Sequence, residues 1–394
     1  MENQAGDTVN KHLSSGSDCL ITLGGIGSGR LQQLMRTALE SACVDLSDMC
    51  NQAGIFSSMT LITDRPMTIE TDNWSRVEYT EPHQSFGDVL KTYFETTNPK
   101  LVENPLVYFG AGSAPLIQDM DVADLVSTLD RANRNICAAN NIYSADYFGV
   151  NPGNIISMLD PSPVSDNEIP KRLSEENRTE VVELARSSRS QFNIDVTADL
   201  ATLFLAEAKG TRIRSFLQAH SQLFQQAVQC QWAAAQHLIN KESQVLVYGR
   251  TSSRIWKYLE TESASKIRII GEERGLGTAP PEYHPYSTLG DLIRSEGAET
   301  FFTKTLPLMC DAAFIDLIPI LAYLHPDTTQ EDRHAAFLMD ESGIAHSGLR
   351  TIIHGVNSSS IPIAIGGHTL VGSGIELLNQ RAWDSIDGIK PNPY

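Results

Sequence analysis

Short apolar runs alternate with amphipathic segments through the first half of the chain. The runs 18–23, 58–63 and 104–110 have the length and composition of buried strands. Between the first two, residues 31–51 repeat apolar side chains every three or four positions, which predicts a helix with one buried face. This alternation predicts an α/β fold, in which a mostly parallel sheet is flanked by helices.

The same rhythm returns in the second half, after a long helical segment. Apolar side chains recur there at helical spacing, and we interpret this segment as a connector. Strand-like runs at 244–250 and 266–275 flank a further helical segment, so we expect a second, Rossmann-like α/β domain. The predicted organisation is a flexible N-terminus, a first α/β domain, a helical connector and a second α/β domain, at 1–17, 18–210, 211–241 and 242–394.

Composition and charge restrict the class of partner. The 394 residues are 41% hydrophobic, and no apolar run reaches the about 18 to 20 residues needed to cross a bilayer. A net charge of −18 disfavours binding to nucleic acids and to anionic membranes. The six cysteines show no C-x-x-C spacing, and the polar N-terminus lacks a secretory signal. We therefore expect a cytoplasmic protein that acts on a small molecule, as a monomer or a homo-oligomer.

A glycine-rich turn follows the first apolar run. Glycine lets a backbone approach a ligand closely, and the helix after the turn offers unpaired N–H groups to an anion. The turn therefore predicts a site for a nucleotide phosphate; the alternative is a glycine turn without a ligand, and no P-loop Gly-Lys-Ser/Thr follows. The residues assigned to phosphate binding are Gly24, Gly25, Gly27, Ser28, Gly29 and Arg30.

Two motifs in the first predicted domain resemble those of the MobA-like nucleotidyltransferases, the molybdenum-cofactor guanylyltransferase type. Residues 24–30 are similar to that family's Gly-Gly-x-Gly-Ser/Thr-Arg loop, and residues 191–200 to its late Asp-Ile-Asp-Thr-Pro-x-Asp-Leu motif. The resemblance implies a glycosyltransferase-A-like (GT-A) sheet, a nucleoside triphosphate substrate and Mg²⁺. It also implies that Arg30 and Asp195 are catalytic and that Asp195 is a metal ligand. Asp199 falls in the first turn of a new helix, where a capping role is expected.

The chain departs from that family's pattern in two places. Ala111 stands where the family has an aspartate that holds the metal, and no lysine follows Arg30 at the usual distance. Phosphoryl-type transfer depends mainly on charge neutralisation by metals and cations. The sequence thus supports two hypotheses: a magnesium-dependent nucleotidyltransferase acting on a small phosphorylated acceptor, or a degenerate nucleotide-binding or assembly module whose chemistry lies in the second domain.

Polar side chains beside the strand near residue 145 suit recognition of a base, sugar or acceptor. Asn140, Asn141 and Ser144 are the candidates. The alternative is a polar turn held by local bonds between side chains and backbone.

A second candidate site lies at the strand ends of the second predicted domain. We expect an arginine, an acidic-basic run and a histidine on a glycine turn to converge there, although a surface ion-pair turn would also explain the acidic-basic run. The histidine would act as a general acid or base, or fill a structural role. The glycine turn at 366–374 also leaves an NAD-dependent reaction open. The candidates are Arg250, Glu272, Glu273, Arg274, Gly366, Gly367 and His368.

Overall fold

The computed structural model confirms the α/β class. It describes residues 16–81, 84–97, 103–132, 134–160, 162–163, 165–176, 178–274 and 283–390. The flexible N-terminus predicted at 1–17 lies almost entirely outside the described residues. The chain forms two compact units: the first comprises the described part of Met1–Gly25 together with Leu39–Gln191, and the second comprises Ile26–Ala38 and Phe192–Tyr394 as far as described.

The first unit is built on a seven-stranded mixed sheet. Its order is β3-β2-β1-β4-β6-β5-β7, and only β6 runs antiparallel to its neighbours. Strands β1 and β4 are central and almost wholly buried, as their apolar sequences require. The strands are β1 (Asp18–Leu23), β2 (Ser58–Thr63), β3 (Arg76–Tyr79), β4 (Leu106–Gly110), β5 (Ile136–Ala139), β6 (Tyr147–Asn151) and β7 (Glu180–Glu183).

Helices cover this sheet, and α1 belongs to both units, since the division falls within it. A core beneath α2 joins Leu90 and Tyr93 to Tyr108 and Phe148 of the sheet. The helices as far as residue 191 are α1 (Arg30–Ala53), α2 (Phe86–Thr96), α3 (Asp119–Asp130), α4 (Ile169–Glu175) and α5 (Ser188–Gln191), with 3₁₀ turns at Gly153–Met158 and Asp166–Glu168.

The second unit contains a four-stranded sheet in the order β11-β10-β8-β9, and all of its strand pairs are parallel. Strands β8 and β10 are central and buried, whereas β9 lies at one edge and alternates between partly buried and exposed residues. The strands are β8 (Gln244–Gly249), β9 (Lys266–Gly271), β10 (Ala312–Asp316) and β11 (Ile363–Gly366).

The helices of the second unit flank this sheet, and α8 packs against β10, β11 and α16. The segment interpreted as a connector is therefore made of helices that pack within this unit. The helices are α6 (Thr197–Leu205), α7 (Thr211–Ala219), α8 (Gln225–Leu238), α9 (Ser253–Glu262), α10 (Thr288–Glu296), α11 (Ala298–Thr300), α12 (Leu306–Met309), α13 (Leu317–Leu324), α14 (Gln330–Phe337), α15 (Ser347–Asn357) and α16 (Ile375–Ile386), with a 3₁₀ turn at Glu341–Gly343 and π-helical turns at Phe301–Thr305 and Leu370–Gly374.

Two further features bear on the sequence predictions. The division of the chain at residues 191 and 192 precedes the boundary predicted at 210, because α6 packs against α8 in the second unit. Among the helices that the structure describes, none combines the length and the apolar character needed to cross a membrane.

Candidate functional site

Each sheet has one position where its strand order reverses, and ligands of open α/β sheets bind outside the carboxyl ends of the strands at such a position. In the first unit the reversal lies between β1 and β4, and in the second between β8 and β10. We call the carboxyl ends of β1 and β4, with the adjoining start of β6, the first edge. The carboxyl ends of β8 to β11 are the second edge.

The first edge is formed by two glycine turns. Gly24 and Gly25 follow β1 and are exposed, and Gly25 has a φ of +72°, which glycine adopts without strain. No atom lies within 4 Å of the position that a Cβ of Gly25 would take. On the neighbouring strand Gly110 is followed by Ala111, which is buried and donates its N–H to the carbonyl of Thr22. The backbone after β1 is therefore exposed, whereas the backbone after β4 is buried and hydrogen-bonded to Thr22.

A buried polar network lies beneath this edge. The Tyr108 hydroxyl shares a hydrogen bond of 2.6 Å with Thr22 Oγ1 and donates to Asp166 Oδ2 over 2.8 Å. Burial raises the pKa of Tyr108 well above its usual range, and the charge of Asp166 adds to the shift. A Cβ on Gly110 would lie 3.5 Å from Asp166 Oδ2, so a carboxylate stands beside the end of β4 although position 111 is an alanine. Nothing in the sequence motifs pointed to Asp166.

The structure gives Asn140 a structural role. Its side chain is 1% exposed, and its amide nitrogen donates to Asp146 Oδ2 and to the carbonyl of Ser190. Its amide oxygen accepts from the N–H groups of Asp146 and Tyr147. Both donors and both acceptor positions are thus used inside the protein, which leaves Asn140 no capacity for a ligand.

The two companions of Asn140 are more accessible. The side-chain oxygen of Asn141 accepts from the Tyr143 N–H and from Arg186, so it closes a local turn. Ser144 is partly exposed and stands two residues before Asp146, near the start of β6.

The remaining part of the glycine-rich turn belongs to the second unit, where a carboxylate caps it. The N–H groups of Leu31 and Gln32 donate to the carboxylate of Glu331 over 2.8 and 3.2 Å, and the Gly29 N–H donates to Gln32 Oε1. A side chain on Gly29 would overlap Glu331. The start of α1 is therefore occupied at the place where we expected a phosphate.

The other predicted members of this part of the turn lie around the same helix start. Gly27 leaves room for the side-chain amide of Gln32, and its carbonyl accepts from Gln33. Ser28 and Arg30 are exposed, and Arg30 forms no ion pair with any residue in the described part of the chain.

At the second edge the dominant contact joins Arg250 to Asp316. The Arg250 Nε and Nη2 donate to the two carboxylate oxygens over 2.6 and 3.1 Å, and Asp316 is fully buried. Asp316 also accepts the N–H groups of Arg250 and Ile318, so it caps α13. Gly249 has a φ of +129°, and a Cβ there would overlap that of Asp316. The arginine predicted for a ligand is thus held by a buried carboxylate.

The acidic-basic run lies at the same edge, after β9. Glu272 follows the register pair Gly271 and Gly249, and its Oε1 accepts the Thr288 N–H over 2.8 Å. Glu273 accepts from the Tyr283 hydroxyl, and Arg274 is exposed. Both glutamates therefore fasten the chain around residues 283–288.

Asp195 and His368 meet at the second edge. The turn after β11 brings His368 Nε2 within 3.8 Å of Asp195 Oδ2, and the same oxygen accepts from the Thr369 hydroxyl over 3.0 Å. The sequence motifs group Asp195 with the opening glycine turn and place His368 at a separate site. The structure brings these two together, and Thr369 is a partner that the sequence motifs did not indicate.

The side chain of Asp199 fixes the backbone at Asp195. It is fully buried, and its Oδ2 accepts the N–H groups of Asp195 and Val196, which confirms the expected capping role. Burial raises the pKa of Asp199 well above its ordinary range, and the charge of Asp195 raises it further.

The glycines after β11 permit close packing around this pair. Gly366 is the register partner of Asp316, and a Cβ there would press on Leu370, whereas Gly367 faces Val196 at ordinary van der Waals distance. Arg250, the Glu272 run and His368 follow β8, β9 and β11, three strands of the same four-stranded sheet, and their convergence on one site stays a prediction.

Cofactor evidence outside this geometry is sparse. Within the described ranges, no group of three or more His, Cys, Asp or Glu side chains is arranged to hold a metal ion. No family model matches the chain, and no curated protein sequence is significantly similar to it.

Proposed function

We propose that this chain is a nucleotide-binding protein whose first unit holds a nucleotide at the first edge. The observation that carries the proposal is the pair of exposed glycines, Gly24 and Gly25, at the reversal in strand order of the seven-stranded sheet. Glycines at such an edge let a phosphate approach the backbone closely.

Two features of the first edge favour binding without transfer. Position 111 is an alanine and has no carboxylate, and the side-chain amide of Asn140 is already hydrogen-bonded within the protein. Transfer of a phosphoryl-type group needs preorganised charge around the phosphates. Binding a nucleotide mainly through backbone N–H groups needs fewer charged side chains than transferring its phosphoryl group does.

A magnesium-dependent nucleotidyltransferase that uses a nucleoside triphosphate and a small phosphorylated acceptor is the second candidate. The exposed carboxylate of Asp195 favours it, because Mg²⁺ is bound through one or two carboxylates together with substrate phosphates and waters. Since Asp195 belongs to the second unit, this candidate places the metal and the triphosphate at the second edge. This version predicts magnesium-dependent release of pyrophosphate that is lost in Asp195→Ala. Equal release by the native and the variant chain would remove Asp195 from that role.

Thermal-shift measurements with a panel of nucleoside triphosphates test the binding proposal. A ligand at 100 times its Kd should stabilise the folded unit by about 2.7 kcal/mol. Stabilisation without Mg²⁺ supports a binder, and stabilisation only with Mg²⁺ supports the transferase. No shift with any nucleotide would refute both versions.

A pair of glycine variants locates the binding site. Gly24→Val places a branched side chain at the carboxyl end of β1, where the nearest atoms, those of Asp64, leave ordinary contact distance for a Cβ. Gly16→Val makes the same change before the amino end of β1, with open space around it. Nucleotide stabilisation should disappear in the first variant and persist in the second; persistence in both would place the nucleotide elsewhere.

A further inference from the structure

The second edge carries a histidine-carboxylate pair that the proposed nucleotide site does not use. His368 and Asp195 are 47% and 43% exposed at the side chain, so a small molecule can reach both. We propose that His368 is a general base at the second edge and that Asp195 is its positioning residue. This inference concerns the second unit alone and does not rest on nucleotide binding by the first.

The geometry assigns different tasks to the two ring nitrogens. Nε2 faces the Asp195 carboxylate at 3.8 Å, and Nδ1 forms no hydrogen bond with any described residue. Nδ1 is therefore the nitrogen that accepts a proton from a substrate. Pairs of this kind are often longer without a substrate and tighten in the complex.

Asp195 is itself fixed in place. Thr369 is 3% exposed and donates to Asp195 Oδ2, while the Asp195 N–H is held by the buried Asp199. The turn that carries His368 leads into Leu370–Gly374, where the helix is kinked at Gly372.

The charges around the pair indicate the class of substrate. Outside the Arg250–Asp316 pair, Asp195, Glu272 and Glu273 supply three carboxylates at the second edge, and Arg274 supplies one exposed guanidinium. This surplus of negative charge disfavours the anion pocket that the glycine turn had suggested. We assign to the site a neutral or cationic small molecule that presents a hydroxyl group.

The proposed step is a proton transfer. The O–H bond of the substrate breaks, its electron pair stays on oxygen, and the proton forms an N–H bond at Nδ1. The resulting imidazolium lies within ion-pair distance of the Asp195 carboxylate. No other reactant is required.

Carbethoxylation by diethyl pyrocarbonate reports the nucleophilicity of each imidazole in the full-length chain. The rate at His368, measured by peptide mass spectrometry at neutral pH, is compared with that at His284, which is exposed and has no carboxylate partner among the described residues. A carboxylate about 4 Å away in a solvent-exposed pair is worth at most about fivefold. We therefore expect His368 to react about two to five times faster than His284.

Variants of Asp195 distinguish a positioning role for this residue from a purely structural one. Asp195→Asn should lower the rate at His368 to that at His284, and Asp195→Glu should restore most of it, with unchanged melting temperatures showing that both variants fold. Equal rates at His368 and His284 in the native chain, or an unchanged rate at His368 in Asp195→Asn, would overturn the proposal. Inorganic phosphate at equal ionic strength should not protect His368; protection would overturn the substrate assignment.

Discussion

The contact between Arg250 and Asp316 provides a sharp test of how the second edge is held together. Asp316 is fully buried, and its carboxylate receives two N–H groups from the guanidinium and two from the backbone. Arg250→Met keeps much of the side-chain volume but leaves the carboxylate without its counter-ion. Removing one partner of a buried ion pair costs about 3 to 5 kcal/mol.

The lower end of that range applies here for a structural reason. The Arg250 side chain is 18% exposed, and Asp316 keeps the N–H groups of Arg250 and Ile318 in the variant. We therefore expect Arg250→Met to lower the free energy of unfolding of the second unit by about 3 kcal/mol. Asp316→Asn should cost less, because the amide oxygen still caps α13 and the guanidinium of Arg250, which is 18% exposed, is partly hydrated.

Urea unfolding followed by tryptophan fluorescence measures these changes. Three of the four tryptophans, Trp232, Trp256 and Trp383, lie in the second unit. The double variant Arg250→Met/Asp316→Asn should be less destabilised than the sum of the single variants, by about 2 kcal/mol. A loss below about 1 kcal/mol in Arg250→Met, or strictly additive effects, would refute the reasoning.

Three further predictions concern the same unit. Gly249→Ala should lower the free energy of unfolding in urea by about 2 to 4 kcal/mol, because a side chain there strains the backbone and overlaps Asp316. Gly271 is the register partner of Gly249 and has open space at its Cβ position, so Gly271→Ala should change stability by less than about 0.5 kcal/mol. Equal losses in the two variants would contradict the geometry. Burial opposes ionisation of Asp332, but hydrogen bonds from the Thr329 hydroxyl and three backbone N–H groups outweigh it and lower its pKa. The stability that Asp332 contributes is therefore present above the unfolded pKa of about 3.9 and is lost as pH falls through the folded pKa. The free energies of unfolding of the native and Asp332→Asn chains, measured as a function of pH, should therefore converge in that acid range. A difference that stays constant with pH would contradict this prediction. For Asp199 the sign is reversed, because its raised pKa means that the folded unit binds the proton more tightly than the unfolded chain does. The stability that Asp199 contributes therefore falls as pH rises from about 4. In thermal melts, Asp199→Asn should be at least as stable as the native chain at pH 7 and should lose that advantage below about pH 4.

Much of the fold follows from local features of the sequence. The apolar runs predicted at 18–23, 58–63 and 104–110 form β1, β2 and β4, and the glycine turn predicted at 366–374 follows β11. Alternating strands and helices fix the α/β class because each must bury an apolar face. The strand expected near residue 145 forms β6, but nothing local in the sequence indicates that it runs antiparallel to its neighbours.

The site depended on contacts between distant parts of the chain. His368 and Asp195 each stand beside a helix start, and sequence reasoning singled out both, but their pairing follows from where α6 packs near the end of β11. Asp316 had a local signal, since an aspartate between a strand and a helix is a common N-cap. Its partner Arg250 is 66 positions away, and nothing local in the sequence links the two.

The glycine-rich turn shows why a motif alone does not assign a ligand. Its glycines supply the same backbone freedom throughout, but Glu331, 300 residues from Leu31, satisfies the N–H groups at the start of α1. Hydrogen bonds to a charged group are worth about 1.5 to 3 kcal/mol each, so a phosphate would have to displace two such bonds at that end of the turn. At Gly25 no atom lies within 4 Å of the position that a Cβ would take, so that side of the backbone is open. The same glycine spacing is therefore compatible with a helix start capped by a carboxylate as well as with a bound phosphate, and contacts made by distant residues decide between the two.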